Sequence, residues 1–241
     1  MSAADAAADR IAQVRRLLDG APGHPVVLDG LSATAGRIAL PAPVAALPDE
    51  LGAVLDARRS WYRFGAGMPS AAQVSSLLHW SWGPQRQVRL PDGSAHRMRM
   101  APSAGGLRSL AVYVLAKSGG ELPGGVFEYD ADGHALETLW SGEPAAALRS
   151  VLVQPEFARR AAMAVVLVGR LDTTLVRYPA RHYRTVHVDA GIALQNLYLT
   201  ATTLGLAGCA VTAFDDHAVA RLLRLPDDRF PIVVFPLGRR P

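Results

Sequence analysis

The sequence predicts an α+β layered fold. Two runs, LAVYVLA from Leu110 and AVVLVG from Ala164, are unbroken apolar segments of strand length, the pattern of strands covered on both faces. A long apolar segment follows, with Ala190, Leu194, Leu197, Ala201 and Leu204 at helical spacing and Gln195, Asn196, Thr200 and Thr203 on its other faces. Strands and helices then mix without a regular βαβ rhythm and without an internal repeat, which favours segregated layers.

The chain of 241 residues is long enough for one substantial core with an appendage, and a 50% hydrophobic content excludes a disordered chain. We divide it into an N-terminal helix and Pro/Gly-rich arm over 1–47 and a main domain over 48–241. The net charge of +4 is modest and no long basic run stands out, so a nucleic-acid partner is not favoured. A phosphorylated cofactor or an acidic peptide needs only a local cluster of arginines. Cys209 is the single cysteine, which fits a reducing compartment, and its apolar surroundings LAGCAV predict a buried packing role. No apolar run approaches membrane-spanning length, and MSAADAAADR has neither a basic n-region nor an h-region. The expectation is a cytoplasmic protein without membrane or metal.

In chain order, Ala3 to Leu18 carries Ile11, Val14, Leu17 and Leu18 at helical spacing, and Gly20 is the stop. Residues Ala21 to Pro48 read as an extended arm, lying on its own core, on a partner subunit, or loosely attached. A second helix begins near Asp49 and ends at Arg58, Arg59 and Ser60. Two guanidiniums and a hydroxyl suit an anion, although a solvated helix end has the same composition. Ser70 caps a third helix that Gly83 closes, with His79, Trp80 and Trp82 as packing residues. Gln85 to Met100 predicts a hairpin around Pro91–Gly93. The small residues from Ala101 to Ser109 let a flat ligand approach backbone N–H groups. GGVFEYD and HALETLW form a hairpin at Asp132-Gly133, and two short helices span Pro144–Leu152 and Glu156–Ala161. Ahead of the long helix stands a basic and phenolic cluster, Arg177, Tyr178, Arg181, His182, Tyr183 and Arg184. Asp189 is placed near that helix's start, where the macrodipole favours a carboxylate, and Gly205 and Gly208 punctuate its end. CAVTAF predicts a strand, Asp215 and Asp216 cap a short helix, and PIVVFPLGRRP is a terminal strand.

Five motifs occur in a fixed order: RRSWYRF, PSAGGL before VYVL, GVFEYD, RYPARHYR leading into DAGIALQNLYL, and FDD followed by PLGR. Together they resemble the SagB-type, nitroreductase-like FMN-dependent dehydrogenases, which include the azoline oxidases of modified peptides. The resemblance covers about Pro48 to Pro241. It implies an α+β sandwich with a central mixed sheet, an intertwined homodimer and FMN at the subunit interface. By resemblance, Arg58, Arg59 and Ser60 hold the FMN phosphate and ring edge. Pro102, Ser103, Ala104 and Gly106 lie along the isoalloxazine from the other subunit. Ala210, Val211, Thr212 and Ala213 flank the flavin, and Gly238 and Arg239 complete the phosphate contact.

The family's azoline dehydrogenases carry a Lys-Tyr pair before the long helix, and here the matching residues are Arg177 and Tyr178. Arginine stays protonated and cannot act as a base, so Tyr178 or another group takes the proton. Pro179 stands where Gly is usual, Ile192 where His is usual, and Arg108-Ser109 where Tyr-Pro is common. Arg181 and Arg184 either recruit an acidic substrate segment or serve as structural ion-pair partners. The leading expectation is an FMN-dependent oxidase acting on a peptide- or carrier-borne thiazoline or oxazoline, with a possible biosynthetic partner enzyme. The alternatives are an NAD(P)H-dependent FMN reductase of an enone, nitro group or dehydroamino acid, and a non-catalytic scaffold.

Overall fold

A strand buried on both faces has to be covered by helices on both sides, and the computed structural model shows that arrangement. It describes residues 3–18, 25–89 and 93–241. The strands are β1 (Leu31–Ala33), β2 (Arg37–Ala39), β3 (Pro84–Arg89), β4 (Ala95–Arg99), β5 (Leu110–Ala116), β6 (Gly125–Asp130), β7 (Ala135–Gly142), β8 (Met163–Arg170), β9 (Leu206–Gly208) and β10 (Arg229–Arg239). The helices are α1 (Ala3–Leu18), α2 (Leu51–Ala57), α3 (Ala71–Trp82), α4 (Ala145–Val151), α5 (Glu156–Arg159), α6 (Leu171–Thr174), α7 (Tyr183–Thr203) and α8 (Asp216–Leu222). An eight-stranded sheet runs β1-β7-β6-β5-β8-β10-β9, with β2 also paired to β7, and β3 and β4 form a separate hairpin. Among the described residues the strand pairings are antiparallel throughout.

Side chains of β5 alternate between two cores. Leu110, Val112 and Val114 join α3 and α7 on one face, while Ala111, Tyr113 and Leu115 join α4 and α8 on the other. β8 divides in the same way, Val165 and Leu167 against Val166 and Val168. These two strands therefore read as continuous apolar runs although the sheet is antiparallel. Ser70 opens α3 with a capping box through Gln73, and Asp215 caps α8 by accepting from the Ala218 N–H.

Part of the arm lies on this chain's own sheet. Residues 31–33 and 37–39 both pair with β7, because its outer edge offers unpaired backbone groups. Gly20, and Pro91 and Asp92 of the hairpin turn, lie outside the described residues.

Three local expectations are corrected. The strand expected at CAVTAF lies one segment earlier, at Leu206–Gly208, so Gly208 is a strand residue and Gly205, at φ +70°, ends α7 alone. After Gly208 the ladder against β10 meets Pro236, which has no N–H to donate, and only the Val211–Val234 bridge continues it. Asp189 is not at the start of α7 but is its seventh residue, because the basic cluster from Tyr183 is itself helical. The dipole effect fades within the first turn and cannot explain a carboxylate there. The buried stripe of α7 is Val186, Asp189, Ala190, Ala193, Leu197, Thr200 and Ala201, which places Thr200 inside and leaves Leu194 only partly covered.

Candidate functional site

The small-residue loop Ala101–Ser109 leaves the β3–β4 hairpin and enters β5, so both ends are anchored by regular structure. Its centre, Ala104–Gly106, is a single tight turn with Gly105 at φ +62°. Asp189 holds this turn from below. Its carboxylate is 4% exposed and accepts a hydrogen bond from Ser109 Oγ at 2.7 Å and from the Ala104 N–H at 3.3 Å. Burial pushes the Asp189 carboxyl above its ordinary value, and the two hydrogen bonds oppose that rise. His96 Nε2 lies 2.7 Å from the Gly106 carbonyl oxygen, and the Ser103 hydroxyl donates to the Leu107 carbonyl.

Tyr178 arrives at the same loop from the segment before α7. A Cβ on Gly105 would lie 2.7 Å from the Tyr178 hydroxyl, so the phenol touches the outer face of the turn and only glycine leaves it room. The Tyr178 ring stacks on His182, with centroids 4.9 Å apart and planes 19° from parallel. Arg177 is exposed, and its side chain has no hydrogen bond or ion pair among the described residues. Arg181 and Arg184 border a surface cleft of about 250 Å³ together with His182 and Thr185. Arg184 donates to the Arg181 carbonyl, and neither has a carboxylate partner among the described residues.

A second cluster forms nearer the other end of α7. Tyr198 Oη accepts from the Ala210 N–H at 2.7 Å and lies 3.2 Å from Ser60 Oγ, while the Arg58 guanidinium sits 5.3 Å from the Tyr198 ring centroid. Arg59 turns back onto the Arg58 carbonyl. The chain from Trp61 to Gly65 then runs beside β9 and the end of β10, bonding Gly208 and Arg239. Gly238 packs against Phe64, and Arg239 Nε donates to the Met68 carbonyl at 3.1 Å. Arg58, Arg59 and Arg239 have no carboxylate partner among the described residues. The Ala210 and Val211 N–H groups are consumed internally, but those of Thr212 and Ala213 have no protein acceptor among the described residues.

The predicted residues therefore fall into two groups. Pro102 to Gly106 meet Tyr178, and Arg58 to Ser60 meet Ala210. Asp189 and Tyr198 are nine positions apart on α7, about 14 Å of axial rise. Sequence reasoning missed Asp189 as the anchor of the loop, Tyr198 as the link between Ser60 and Ala210, and His182 beneath Tyr178. The segment from Tyr178 to His182 is not one helix, so spacing carried no signal for His182, whereas a lone carboxylate inside an apolar helix stripe could have pointed to Asp189.

Among the described residues, no helix is long and apolar enough to cross a membrane. A model of the nitroreductase family matches residues 55–239. A Methanocaldococcus jannaschii protein described as a nitroreductase is 26% identical over 198 residues, covering 80% of this chain and 95% of that one. A crystal structure from Ralstonia eutropha JMP134, also described as a nitroreductase, superposes with a TM-score of 0.72 at 25% identity, over 91% of this chain and 99% of the other. A chain of the E. coli microcin synthetase McbBCD complex, solved with truncated pro-MccB17 bound, shares the fold at TM-score 0.62 and 22% identity, over 82% and 75%. With the family model spanning α2 to the end of β10, the antiparallel sheet clad by helices on both faces has its explanation: the chain belongs to the nitroreductase family.

Proposed function

We propose that this nitroreductase-family oxidoreductase is FMN-dependent and oxidises a peptide- or carrier-borne thiazoline or oxazoline to the aromatic azole, with oxygen as the final electron acceptor. The observation that carries this reading is the Tyr178 hydroxyl held against Gly105 of the small-residue loop. A proton-handling group is thereby set at the edge of a surface suited to a flat ring.

The residues present fit FMN. A dianionic phosphate calls for guanidiniums not already paired, and Arg58, Arg59 and Arg239 meet that condition, with Ser60 beside them. The loop of Pro102, Ser103, Ala104 and Gly106 offers a surface without bulky side chains. Thr212 and Ala213 bring unused N–H donors, while Ala210 and Val211 shape that wall. Gly238 supports the phosphate end through its contact with Phe64. The two groups lie at separate stations on α7, which supports a homodimer pairing the loop of one protomer with the arginines of the other.

When bound, FMN supplies the hydride acceptor and the reaction with oxygen. The protein does the rest. The azoline loses a ring C–H proton to the side-chain oxygen of Tyr178, and His182 keeps that ring oriented by stacking. Arg177 stays charged throughout and contributes a fixed positive charge, not a base. Exposed Arg181 and Arg184 suit an acidic segment of the carrier peptide. The McbBCD likeness supports a peptide substrate and a biosynthetic partner enzyme, since that complex was solved with a pro-peptide bound.

An NAD(P)H-dependent reductase is the second reading. It is favoured by Arg177, where the dehydrogenases carry Lys, and by relatives described as nitroreductases. Anaerobic titration of the flavin-loaded protein separates the two. Bleaching by an azoline peptide and not by NADPH is the expected result; rapid bleaching by NADPH with none by the azoline would transfer the assignment to the reductase.

A further inference from the structure

Behind the small-residue loop, on the side of the sheet covered by α3, lies a cleft of about 280 Å³ that the redox reading does not use. Arg99, the last residue of β4, and Arg108, near the end of the loop, reach into it, so the loop's two ends meet there. Asp132, from the β6–β7 turn, is their shared counter-ion. Its carboxylate lies 2.7 Å from Arg108, 3.1 Å from Arg99 and 3.5 Å from Arg97. Three guanidiniums thus share one carboxylate.

The other carboxylates lining the cleft are engaged elsewhere. Asp130 and Glu137 pair with Arg37, and Glu128 pairs with Arg229. Arg170, the remaining cation, is held by Asp172. Counting these pairs, two positive charges are in surplus at the Arg99–Arg108 end and one negative charge where Asp130 and Glu137 share Arg37.

Arg99 is the unsatisfied member. Its side chain is only 6% exposed. Nη1 is ion-paired with Asp132 at 3.1 Å but poorly aligned for a hydrogen bond, and Nε has no acceptor among the described residues. Burial draws its pKa below the ordinary guanidinium value, with Asp132 opposing. A buried guanidinium keeps orphaned N–H groups only at a considerable cost, and an anion presented to them would offset it. A cation would be repelled by the surplus, and a neutral ligand would leave it standing. Trp82, Leu110, Val112 and Ala131 form an apolar strip between the charged and polar side chains of the cleft, against which a short organic tail can lie.

We infer that this cleft is a binding site for a small organic carboxylate, whose oxygens meet Arg99 and Arg108 while a short apolar tail lies against Trp82 and Leu110. The inference does not depend on the redox reading, and its test needs no turnover. Formate, acetate, butyrate and inorganic phosphate are titrated calorimetrically into the full chain at matched ionic strength. The expected result is saturable one-site binding that tightens from formate to butyrate by up to about fourfold per added methylene, with phosphate weaker than butyrate. Arg108→Gln and Arg99→Met should each weaken butyrate at least tenfold. Arg108 is 43% exposed at its side chain, so its variant should fold and decides the matter if Arg99→Met does not. No saturable binding to the wild type, phosphate tighter than butyrate, or butyrate affinity unchanged in Arg108→Gln would each overturn the assignment.

Discussion

The two stations on α7 are built on opposite principles. At Asp189 almost every polar group of the small-residue loop is tied down: Ala104 and Ser109 to the carboxylate, Gly106 to His96, Ser103 to Leu107. At Tyr198 the hydroxyl fixes Ser60 and Ala210, but the guanidiniums beside them remain without a carboxylate. One station holds a backbone shape, and the other keeps charge available. A flat ring needs a rigid wall and a phosphate needs unneutralised cations, so this division of labour is what a flavin would require of two separate half-sites.

The largest effect is expected at the loop station. Tyr178→Phe should leave flavin retention intact while turnover falls by about 10²–10⁴, the range for losing a general acid–base group. Steady-state kinetics with a flavin absorbance check would show it, and near-normal turnover would remove Tyr178 from the chemistry. At the other station, Arg58→Ala should weaken flavin binding by about 1.5–3 kcal/mol with little change in fold. Full flavin copurifying with that variant would contradict the phosphate assignment.

A smaller effect is expected from Gly105→Ala, which puts a Cβ 2.7 Å from the Tyr178 hydroxyl and a side chain at φ +62°. The cost should be about 1–2 kcal/mol for the left-handed backbone alone, with a further loss from the clash. Adding Tyr178→Phe should recover only the clash, so a double-mutant cycle in urea would report non-zero coupling; simple additivity would show the phenol does not touch the loop.

The smallest effect concerns pH. The folded pKa of Asp189 is raised by burial, so the fold favours its protonated form. Its contribution to stability is full below the ordinary carboxylate value and is lost as pH rises through the raised folded value. Asp189→Asn removes that titration. Denaturation midpoints measured from neutral pH downward should therefore move in favour of the wild type relative to the variant as acid is added, and parallel curves would refute the raised value.

How much of this could be read in the sequence depended on whether the signal was local. Ser70 with Gln73, Asp215 before α8, and the apolar runs of β5 and β8 each announce their structure within a few residues. CAVTAF has equally good strand composition, but Pro236, far along the chain, denies it a ladder. Residues 31–39 look like a loose arm because their partner, β7, lies about a hundred positions away. At the candidate site, Arg58 to Ser60 and Pro102 to Gly106 stand out by residue type alone, as an anion-suited and a small-residue segment. Asp189 was not, since its role exists only once Ser109 and Ala104 fold beneath α7. Tyr198 was equally hidden, being defined by partners on two other segments.

The most direct test of the two-station account is flavin stoichiometry, read from the visible spectrum of the full chain after soaking with FMN and gel filtration, with the mass of the flavin-bearing peak measured in the same run. The account predicts one FMN per chain, carried by a dimer. A protein that emerges without flavin, or one that holds it as a monomer, would contradict the claim that loop and arginines from two copies complete one site.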